Sequence, residues 1–462
     1  MQYCVHGHFY QPPREDPISN YIPDEIGAEP FNNWNERILA ECYAPNARAG
    51  NYSKISFNIG PTLFRWMQSA HPEVYDAIIE QEHSNYIKYK VGNAMAQGYN
   101  HSILPLATQL DKITQIRWGI KDFEYRFGHT PGGMWLPETA VDKESLCVMS
   151  DQGLKFTILA PWQVIPLKGG SGPFLIELPG NRQPFIVFTY DREVSTQISF
   201  IPSATRNGDT FLYNLTQQDH HQPTDLRLFA SDGELYGHHQ PFRDYFLTYI
   251  MEQGEGRHDI DWTWPEKWLL ENQVTAMAKL NDNTSWSCLH GVERWKGQCG
   301  CTPHAEWKQP MRFGLDRLAE WIDEVYVDEV GSIMADPWEL RHRYVEVMNN
   351  QVSLNDLVDE LTDFRPDTSR LDKIGLLLKA QYERQRMYTS CGFYFDEFHR
   401  IEPQNSVAYA ANAAWLTEKA TGRKVNPELL DLFKLVRSSK TGLRGDTVFS
   451  QTWLRAEAEA EA

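Results

Sequence analysis

The chain has 462 residues, of which 41% are hydrophobic and 13% are aromatic. A chain of this length can form two hydrophobic cores, and its many large apolar side chains exclude a disordered protein. Its formal charge of −18 disfavours a nucleic-acid partner, whereas a neutral sugar approaches such a surface without electrostatic cost.

Two further features predict where the protein resides. No stretch of roughly 18 apolar residues is present, so no membrane span is expected, and the N-terminal sequence MQYCVHGHF lacks the basic and apolar regions of a secretion signal. The seven cysteines are odd in number and mostly scattered, unlike a disulfide framework. We therefore expect a cytoplasmic protein with reduced thiols.

Up to about residue 300, short apolar runs alternate with helical stretches, which is typical of β/α units around a parallel sheet. The predicted strands are Tyr3–His6, Ile55–Ile59, Met134–Leu136, Phe156–Leu159, Phe185–Tyr190 and Leu226–Ala230. A helix is predicted over Thr108–Tyr125, where apolar residues recur at helical spacing. Polar residues directly follow several strands, as the catalytic groups of β/α barrels do.

After about residue 305 the pattern predicts only helices. The first has one apolar face, made of Met311, Leu315, Leu318, Trp321, Ile322 and Val325. Further helices are predicted near residues 340–349, 371–388 and 406–421. We predict a catalytic barrel over residues 1–304, an α-helical domain over 305–455 and a tail over 456–462, which is a solvated helix end or a cloning remnant.

Two carboxylates end predicted strands. Glu138 follows Pro137 and has Trp135 three residues before it, and Asp232 begins the segment DGELYGHH. Glycoside cleavage requires one ionised carboxylate at the anomeric carbon, a second carboxyl group as proton donor and an aromatic wall for the sugar. The structural alternatives are a capping or surface role for Glu138 and a simple Asp-Gly turn at Asp232.

Histidines and cysteines form three further candidate groups. His6 and His8 occupy one side of the first strand and could bind a metal or donate hydrogen bonds to sugar hydroxyls. His101 lies in another polar cluster, YNHS. A third group comprises Cys288, His290, Cys299, Cys301 and His304. A zinc site is the alternative there, but the spacing matches no standard zinc finger, so we expect buried reduced thiols and assign no metal.

Together these segments resemble glycoside hydrolase family 57. The resemblance rests on the order H-x-H…Q-P, Asn-His, G-x-W-x-P-E and D-G-E-x-x-G-H, and it extends through NWNER, ECYAPN, FNIGPT and SWSC. The longer stretches are similar to a subgroup that carries a helical extension of unassigned function. The first motif is longer than the family pattern, since Phe9 and Tyr10 separate His8 from Gln11.

The resemblance implies the fold and the roles of individual residues. The fold is an incomplete (β/α)7 TIM-like barrel followed by a C-terminal α-helical domain, and the activity is retaining cleavage of α-glucans. Glu138 matches the nucleophile and Asp232 the acid/base. The positions that match sugar-binding residues are His6, His8, Gln11, His101, Trp135, Glu234, His238 and Trp286. The acidic residue expected near Trp286 is either Asp282 or is replaced by Asn283.

No cofactor is required for this chemistry, and the partner is an α-glucan or oligosaccharide. One alternative is a metal-dependent deacetylase or mannosidase-like hydrolase, with His6, His8 and either Asp232 or His239 as zinc ligands. Another is a non-catalytic glycan-binding protein. Hydrolysis and transfer use the same two carboxylates, so an amylase and a 4-α-glucanotransferase are equally compatible with the sequence.

Overall fold

The structure is a computed structural model that describes residues 1–170, 172–217, 226–258, 260–362 and 366–461. The strands of these residues are β1 (Gln2–Phe9), β2 (Ser56–Ile59), β3 (Ala96–Gln97), β4 (Met134–Trp135), β5 (Phe156–Leu159), β6 (Val164–Pro166), β7 (Phe174–Ile176), β8 (Phe185–Thr189), β9 (Leu226–Asp232), β10 (Asp261–Trp262) and β11 (Met277–Leu280).

The helices up to residue 300 are α1 (Trp34–Ile38), α2 (Ala44–Arg48), α3 (Pro61–Ala70), α4 (Pro72–Tyr89), α5 (Gln109–Phe127), α6 (Lys143–Asp151), α7 (Arg192–Phe200), α8 (Gly208–Gln217), α9 (Arg243–Arg257) and α10 (Pro265–Glu271). The later ones are α11 (Lys308–Val330), α12 (Pro337–Met348), α13 (Leu354–Leu361), α14 (Thr368–Arg386), α15 (Cys391–Tyr394), α16 (Ile401–Thr421), α17 (Pro427–Asp431) and α18 (Gly445–Glu461).

The chain forms two compact units. The first contains Met1–Gln11, Asp24–Gly98 and Phe123–Trp286, and the second contains Pro12–Pro23, Tyr99–Asp122 and Ser287–Ala462. Two segments from the first third of the chain thus belong to the unit that also holds the C-terminal helices.

Seven parallel strands of the first unit form an open barrel. β1 pairs with β2 and with β9, β3 pairs with β4, and β5 pairs with β8. Single parallel bridges, Phe57 to Ala94 and Gly133 to Phe156, connect these pairs. The resulting order is β9-β1-β2-β3-β4-β5-β8, and the described residues contain no ladder between β8 and β9. The predicted incomplete barrel of seven β/α units is confirmed.

Burial on both faces explains why the barrel strands read as apolar runs. Every residue of β1 after Gln2 is buried, and so are all residues of β2 and β5, as expected where helices cover the outside of a parallel sheet. Polar side chains in these strands must therefore find partners within the protein. The carboxyl ends of parallel strands lie at one end of a barrel, where such side chains can meet.

Several short strands were not predicted from the sequence. β7 pairs antiparallel with β8, and β11 lies between β7 and β6. These strands contain only three or four residues, which is too few to show an alternation of apolar and polar side chains.

The second unit is helical, as predicted for the C-terminal part. Its first predicted helix is α11, and five of the six predicted apolar residues there are buried, Trp321 being half-buried. One of its cores contains Tyr99, Trp118, Tyr326, Leu340 and Leu377. Residues 456–461 continue α18, with Ala456 buried and the others exposed. None of the helices among the described residues has both the length and the apolar character that a membrane span requires.

Candidate active site

Glu138 is positioned by a strained turn just beyond β4. Pro137 begins this turn, and Glu138 has a left-handed backbone with φ 56°, a conformation that non-glycine residues adopt mainly where the surrounding structure enforces it. The Trp286 indole Nε1–H donates to Glu138 Oε2 over 3.1 Å, and the Trp286 backbone N–H donates to the Glu138 carbonyl over 3.1 Å. Trp286 thus holds both the backbone and the carboxylate of Glu138.

Asp232 is the last residue of β9, and the strand register places it beside His8 of β1. Part of its surface is exposed to solvent, but the surrounding protein replaces much of the water around its carboxylate. Burial, followed by the negative charges of Glu234 and Glu138, raises the pKa of Asp232 to about 8. The charge of Glu138 makes the smallest of these three contributions to the raised pKa. Asp232 is therefore largely protonated at pH 7, as a general acid requires.

Glu234, two residues after Asp232, is buried and does not face solvent. Tyr43 Oη donates to Glu234 Oε1 over 2.6 Å, and the backbone N–H of Tyr10 donates to the same oxygen over 3.0 Å. Burial raises the pKa of Glu234 to about 7, although hydrogen bonds from Tyr43, Tyr10 and Gln11 favour its charged form. The predicted sugar-binding residue Gln11, itself buried, thus contacts Glu234 in this structure.

His6 and His8 are held by one asparagine of β2. The His6 ring contacts Asn58 Oδ1 through Nε2 at 3.1 Å and Ser56 Oγ through Nδ1 at 2.9 Å. Asn58 Nδ2 donates to His8 Nδ1 over 2.9 Å and to Gln97 Oε1 over 2.6 Å. His8 Nδ1 also lies 3.3 Å from Asn58 Oδ1, so the amide group of Asn58 fixes the orientation of both histidine rings.

Both histidines are uncharged at neutral pH. Burial is the largest influence in each case and lowers the pKa of His6 and of His8 to about 3, although the hydrogen bond to Asn58 opposes it. In His6 both ring nitrogens already contact protein oxygens, which leaves no nitrogen for a metal ion. The metal-dependent alternative based on His6 and His8 is therefore not favoured.

The Trp135 ring packs against both His6 and His8. Its ring is stacked on His6 with centroids 4.7 Å apart and on His8 with centroids 5.1 Å apart. The side chain is fully buried, so it presents no face to solvent in this structure. The exposed aromatic surface beside the carboxylates comes from other residues.

Three aromatic side chains line this neighbourhood: Trp286, Tyr190 and Trp162. Trp286 packs edge-to-face against Tyr190, with centroids 6.5 Å apart, and Tyr190 packs against Trp162 at 6.1 Å. Tyr190 is buried, and burial raises its pKa, with a further contribution from the negative charge of Asp232. Trp162 is 37% exposed. Neither residue was predicted from the sequence as part of the site, although Tyr190 directly follows β8 and Trp162 lies in the turn after β5.

His238 is anchored by a carboxylate from the π-helical turn Leu39–Tyr43. Its Nδ1 donates to Glu41 Oε2 over 2.5 Å. Burial alone would raise the pKa of Glu41, but hydrogen bonds from His238 and Arg37 bring it below its ordinary value. Gly237, with φ 144°, allows this approach, since a Cβ there would lie 2.2 Å from the Glu41 carbonyl oxygen.

Two other residues considered from the sequence have different surroundings. His101 belongs to the second unit, is buried and has φ 55°; its Nδ1 contacts Ser390 Oγ at 2.6 Å. Asp282 is exposed and accepts a hydrogen bond from the backbone N–H of Lys143 over 2.7 Å. Asn283 is also exposed.

One group of side chains in the described part of the chain is arranged to hold a metal ion, and it does not include the predicted site residues. It consists of Cys288, His290, Cys299 and Cys301, for which the sequence analysis assigned no metal. The sequence signal for it is a pair of short arms, C-x-H and C-x-C, rather than the C-x-x-C arms of common zinc sites.

Comparisons with known proteins agree with this geometry. A family model described as glycosyl hydrolase family 57 matches residues 3–277, and one described as a domain of unknown function (DUF3536) matches residues 304–461. Alpha-amylase 1 of Dictyoglomus thermophilum is 26% identical over 188 residues, which are 40% of this chain and 26% of that protein. The matches span about a quarter to a third of the curated relatives' length.

Two solved structures show the same fold. The exo-type maltose-forming amylase from Pyrococcus sp. ST04 superposes with a TM-score of 0.75 at 14% identity, covering 98% of this chain and 88% of that one. The 4-alpha-glucanotransferase from Thermococcus litoralis superposes with a TM-score of 0.56 at 14% identity, covering 90% and 60%.

Proposed function

Because the chain belongs to glycosyl hydrolase family 57, we propose that it is a retaining glycoside hydrolase or transglycosidase that acts on α-glucans. The resemblance inferred from the sequence motifs is thereby confirmed. The observation that carries the proposal is the position of two carboxylates at the carboxyl ends of barrel strands, Glu138 just beyond β4 and Asp232 at the end of β9; the charge of Glu138 helps to keep Asp232 protonated. Such an unequal pair is what double displacement requires.

In the first step Glu138 attacks the anomeric carbon while Asp232 gives its proton to the departing glycosidic oxygen. The carbon–oxygen bond to the leaving group breaks as the glycosyl–Glu138 ester bond forms. Asp232, now ionised, then removes a proton from water or from a sugar hydroxyl, whose oxygen displaces Glu138 with overall retention. Trp286 holds the nucleophile in place through its hydrogen bond to Oε2.

The surrounding residues bind and orient the sugar. His8 lies beside Asp232 in the strand register, and its ring stays neutral over the physiological pH range, so it can hydrogen-bond a sugar hydroxyl without adding a positive charge. Trp162 and Trp286 provide aromatic surface for the C–H face of a sugar ring. Four buried residues act as positioning residues for the side chains that contact the sugar: His6, Trp135, Gln11 and Glu234.

Water and a sugar hydroxyl are both suitable acceptors for the second step. Relatives and structural neighbours include proteins named as an amylase and as a 4-alpha-glucanotransferase, so the proposal covers both outcomes. Product analysis on maltooligosaccharides separates them: products longer than the substrate indicate transfer, and exclusively shorter ones indicate hydrolysis. We further propose a cytoplasmic location, supported by the seven cysteines, none of which forms a disulfide bond in the described residues.

Substitution of the nucleophile tests the assignment directly. We expect Glu138→Gln to lower turnover about 10³-fold or more, which corresponds to roughly 4 kcal/mol of barrier. A fluorinated covalent sugar analogue should label the Glu138 peptide of the parent protein, as detected by mass spectrometry. Glu144→Gln, an exposed position on α6, is the matched control and should retain full activity.

Near-normal turnover of Glu138→Gln on every α-glucan that the parent cleaves would contradict the assignment. Labelling of a different carboxylate would also contradict it, whereas a parent protein that neither cleaves nor transfers any α-glucan would favour the glycan-binding alternative.

A further inference from the structure

Four potential metal ligands converge at the start of the segment Ser287–Ala462 of the second unit. One ligand atom each from Cys288, His290, Cys299 and Cys301 lies within 4.8 Å of all the others. Cys288 Sγ is 4.0 Å from Cys299 Sγ, and Cys301 Sγ is 3.5 Å from His290 Nδ1. These four residues take no part in the proposed glycoside chemistry.

Two of the six separations between the ligand atoms are close to the edges of a tetrahedron around zinc. With Zn–S bonds of about 2.3 Å and a Zn–N bond of about 2.0–2.1 Å, ideal geometry places two sulfurs about 3.8 Å apart and a sulfur and a nitrogen about 3.6 Å apart. The two contacts given above differ from these values by small amounts. Hydrogen bonding alone gives no reason for four such side chains to meet at one point.

The local backbone is shaped to bring the two arms together. The first arm closes with a hydrogen bond from the Gly291 N–H to the Cys288 carbonyl, and the second with one from the Thr302 N–H to the Cys299 carbonyl. Gly300 has the side chain of His290 directly against its backbone, since a Cβ there would lie 2.9 Å from the imidazole Cε1. Glycine at this position therefore permits the histidine to reach the cysteines.

Two basic side chains lie beside the cluster. Arg294 hydrogen-bonds the Cys301 sulfur. Lys308 is fully buried, and in the described part of the chain its Nζ donates to two neutral oxygens, Thr302 Oγ1 and the Arg294 carbonyl, each at 3.1 Å. Thr302 Oγ1 in turn lies 3.8 Å from Cys299 Sγ. Basic side chains beside a cysteine favour its thiolate form, which is the form that binds a metal ion.

We propose that Cys288, His290, Cys299 and Cys301 form a closed structural zinc site. Three thiolates and one neutral imidazole around Zn²⁺ carry a net charge of −1, which Arg294 and Lys308 offset. Four protein ligands leave no position for water or substrate, so the ion stabilises the fold of residues 288–302 and does not catalyse. This inference is independent of the proposed glycosidase activity.

The test is the metal content of the full chain, purified without chelators and without a metal-binding tag. Elemental analysis should find about one zinc ion per chain. Replacement of the bound ion by cobalt, added as CoCl₂, should produce the sulfur-to-cobalt charge-transfer absorption and the visible bands of a tetrahedral thiolate site.

Substitutions locate the ion. Cys299→Ser combined with Cys301→Ser should lower the zinc content about tenfold or more and lower the melting temperature of the protein, because two of four ligands are lost. Cys147→Ser is the matched control, since Cys147 lies on α6 and outside the cluster, and it should keep the full zinc content. If the double variant fails to accumulate, zinc release from the parent protein on titration of its thiols gives the same information.

Three results would overturn the proposal. They are a parent protein that contains no zinc even after purification with added ZnSO₄, a disulfide bond between any two of these cysteines in protein from a reducing cytoplasm, and zinc that remains bound in the double variant.

Discussion

At the scale of single residues, Asp232 owes its properties to its acidic neighbours. Its pKa is raised to about 8 by burial and by the charges of Glu234 and Glu138. Glu234 is itself buried and accepts hydrogen bonds from Tyr43 and Tyr10. A buried carboxylate beside the acid/base thus adjusts the pH range over which that group holds its proton.

Neutralising Glu234 should therefore shift the pH dependence of the reaction. In Glu234→Gln the amide oxygen can still accept the hydrogen bonds of Tyr43 and Tyr10, but the negative charge is gone, which lowers the pKa of Asp232. We expect the alkaline limb of the kcat/KM profile, near pH 8 in the parent, to move about one pH unit lower. Glu144→Gln should leave the profile in place, and an unshifted limb in Glu234→Gln would show that Glu234 does not act on Asp232.

The raised pKa that lets Asp232 act as an acid should also make this residue destabilise the folded protein. The folded protein holds the proton up to about pH 8, whereas an unfolded aspartate releases it near pH 3.9. Between these values the unfolded state binds fewer protons, so raising the pH destabilises the fold. Asparagine cannot ionise, so Asp232→Asn should be inactive yet increasingly more stable than the parent as the pH rises from about 4 to about 8.

Thermal unfolding of parent and variant over a series of pH values measures this difference. Asp76→Asn, at an exposed position of α4, controls for the loss of one negative charge. A stability difference that does not grow with pH would contradict the raised pKa.

At the scale of elements, a buried ion network joins four helices of the second unit. Asp111 of α5 accepts a hydrogen bond from Arg384 of α14 over 2.8 Å and lies 3.3 Å from Arg341 of α12. Asp323 of α11 is the second carboxylate, 2.7 Å from Arg384. Burial opposes ionisation of Asp111, but the two guanidinium groups hold its pKa below its ordinary value.

Removing Asp111 should strongly destabilise this unit. Asp111→Ala leaves two buried guanidinium groups with one carboxylate, at an expected cost of about 3–5 kcal/mol. The stabilisation from a carboxylate of lowered pKa is fully present above about pH 4 and is lost as the pH falls below it. Chemical denaturation at several pH values measures both effects.

Asp328→Ala is the matched control for this prediction. Asp328 pairs with Arg423 at 2.7 Å on the surface, where both side chains are largely exposed, and its loss should cost about 0–1 kcal/mol. Equal effects of the two substitutions would show that the buried network is not a stabilising element.

At the scale of the whole molecule, the two compact units do not follow the order of the chain. The segment Pro12–Pro23 contacts α16, for example through Tyr409 Oη, which donates to the Pro13 carbonyl over 3.2 Å. The segment Tyr99–Asp122 contains Trp118, which is fully buried and donates to the Arg341 carbonyl over 2.9 Å. Both segments depend on helices that come much later in the sequence.

A chain cut after residue 304 should therefore fail to fold stably. It would expose Tyr99 and Trp118 and leave His101 without its contact to Ser390, and exposed apolar surface of this kind favours aggregation. Soluble yield and a cooperative thermal transition are the measurements. A chain ending at residue 455, which lacks only the mostly exposed end of α18, should behave as the full chain does; a stable 1–304 fragment would contradict this prediction.

Much of the fold was predictable because its evidence is local. Apolar runs predicted six of the seven barrel strands within a few residues, and helical periodicity predicted α5, α11, α12, α14 and α16. The missing barrel strand, β3, has only two residues. Glu138 and Asp232 were recognisable since each follows a strand, and their catalytic roles remain proposals.

The sequence by itself thus determined the barrel strands, the helical C-terminal region and the family, because short-range periodicity and strand-end motifs depend on neighbouring residues. Only the tertiary structure decided that Trp135 lies buried under His6 and His8, that residues 12–23 and 99–122 belong to the second unit, and that three cysteines and His290 meet. These outcomes depend on packing between residues far apart in the chain, for which local spacing carries no information.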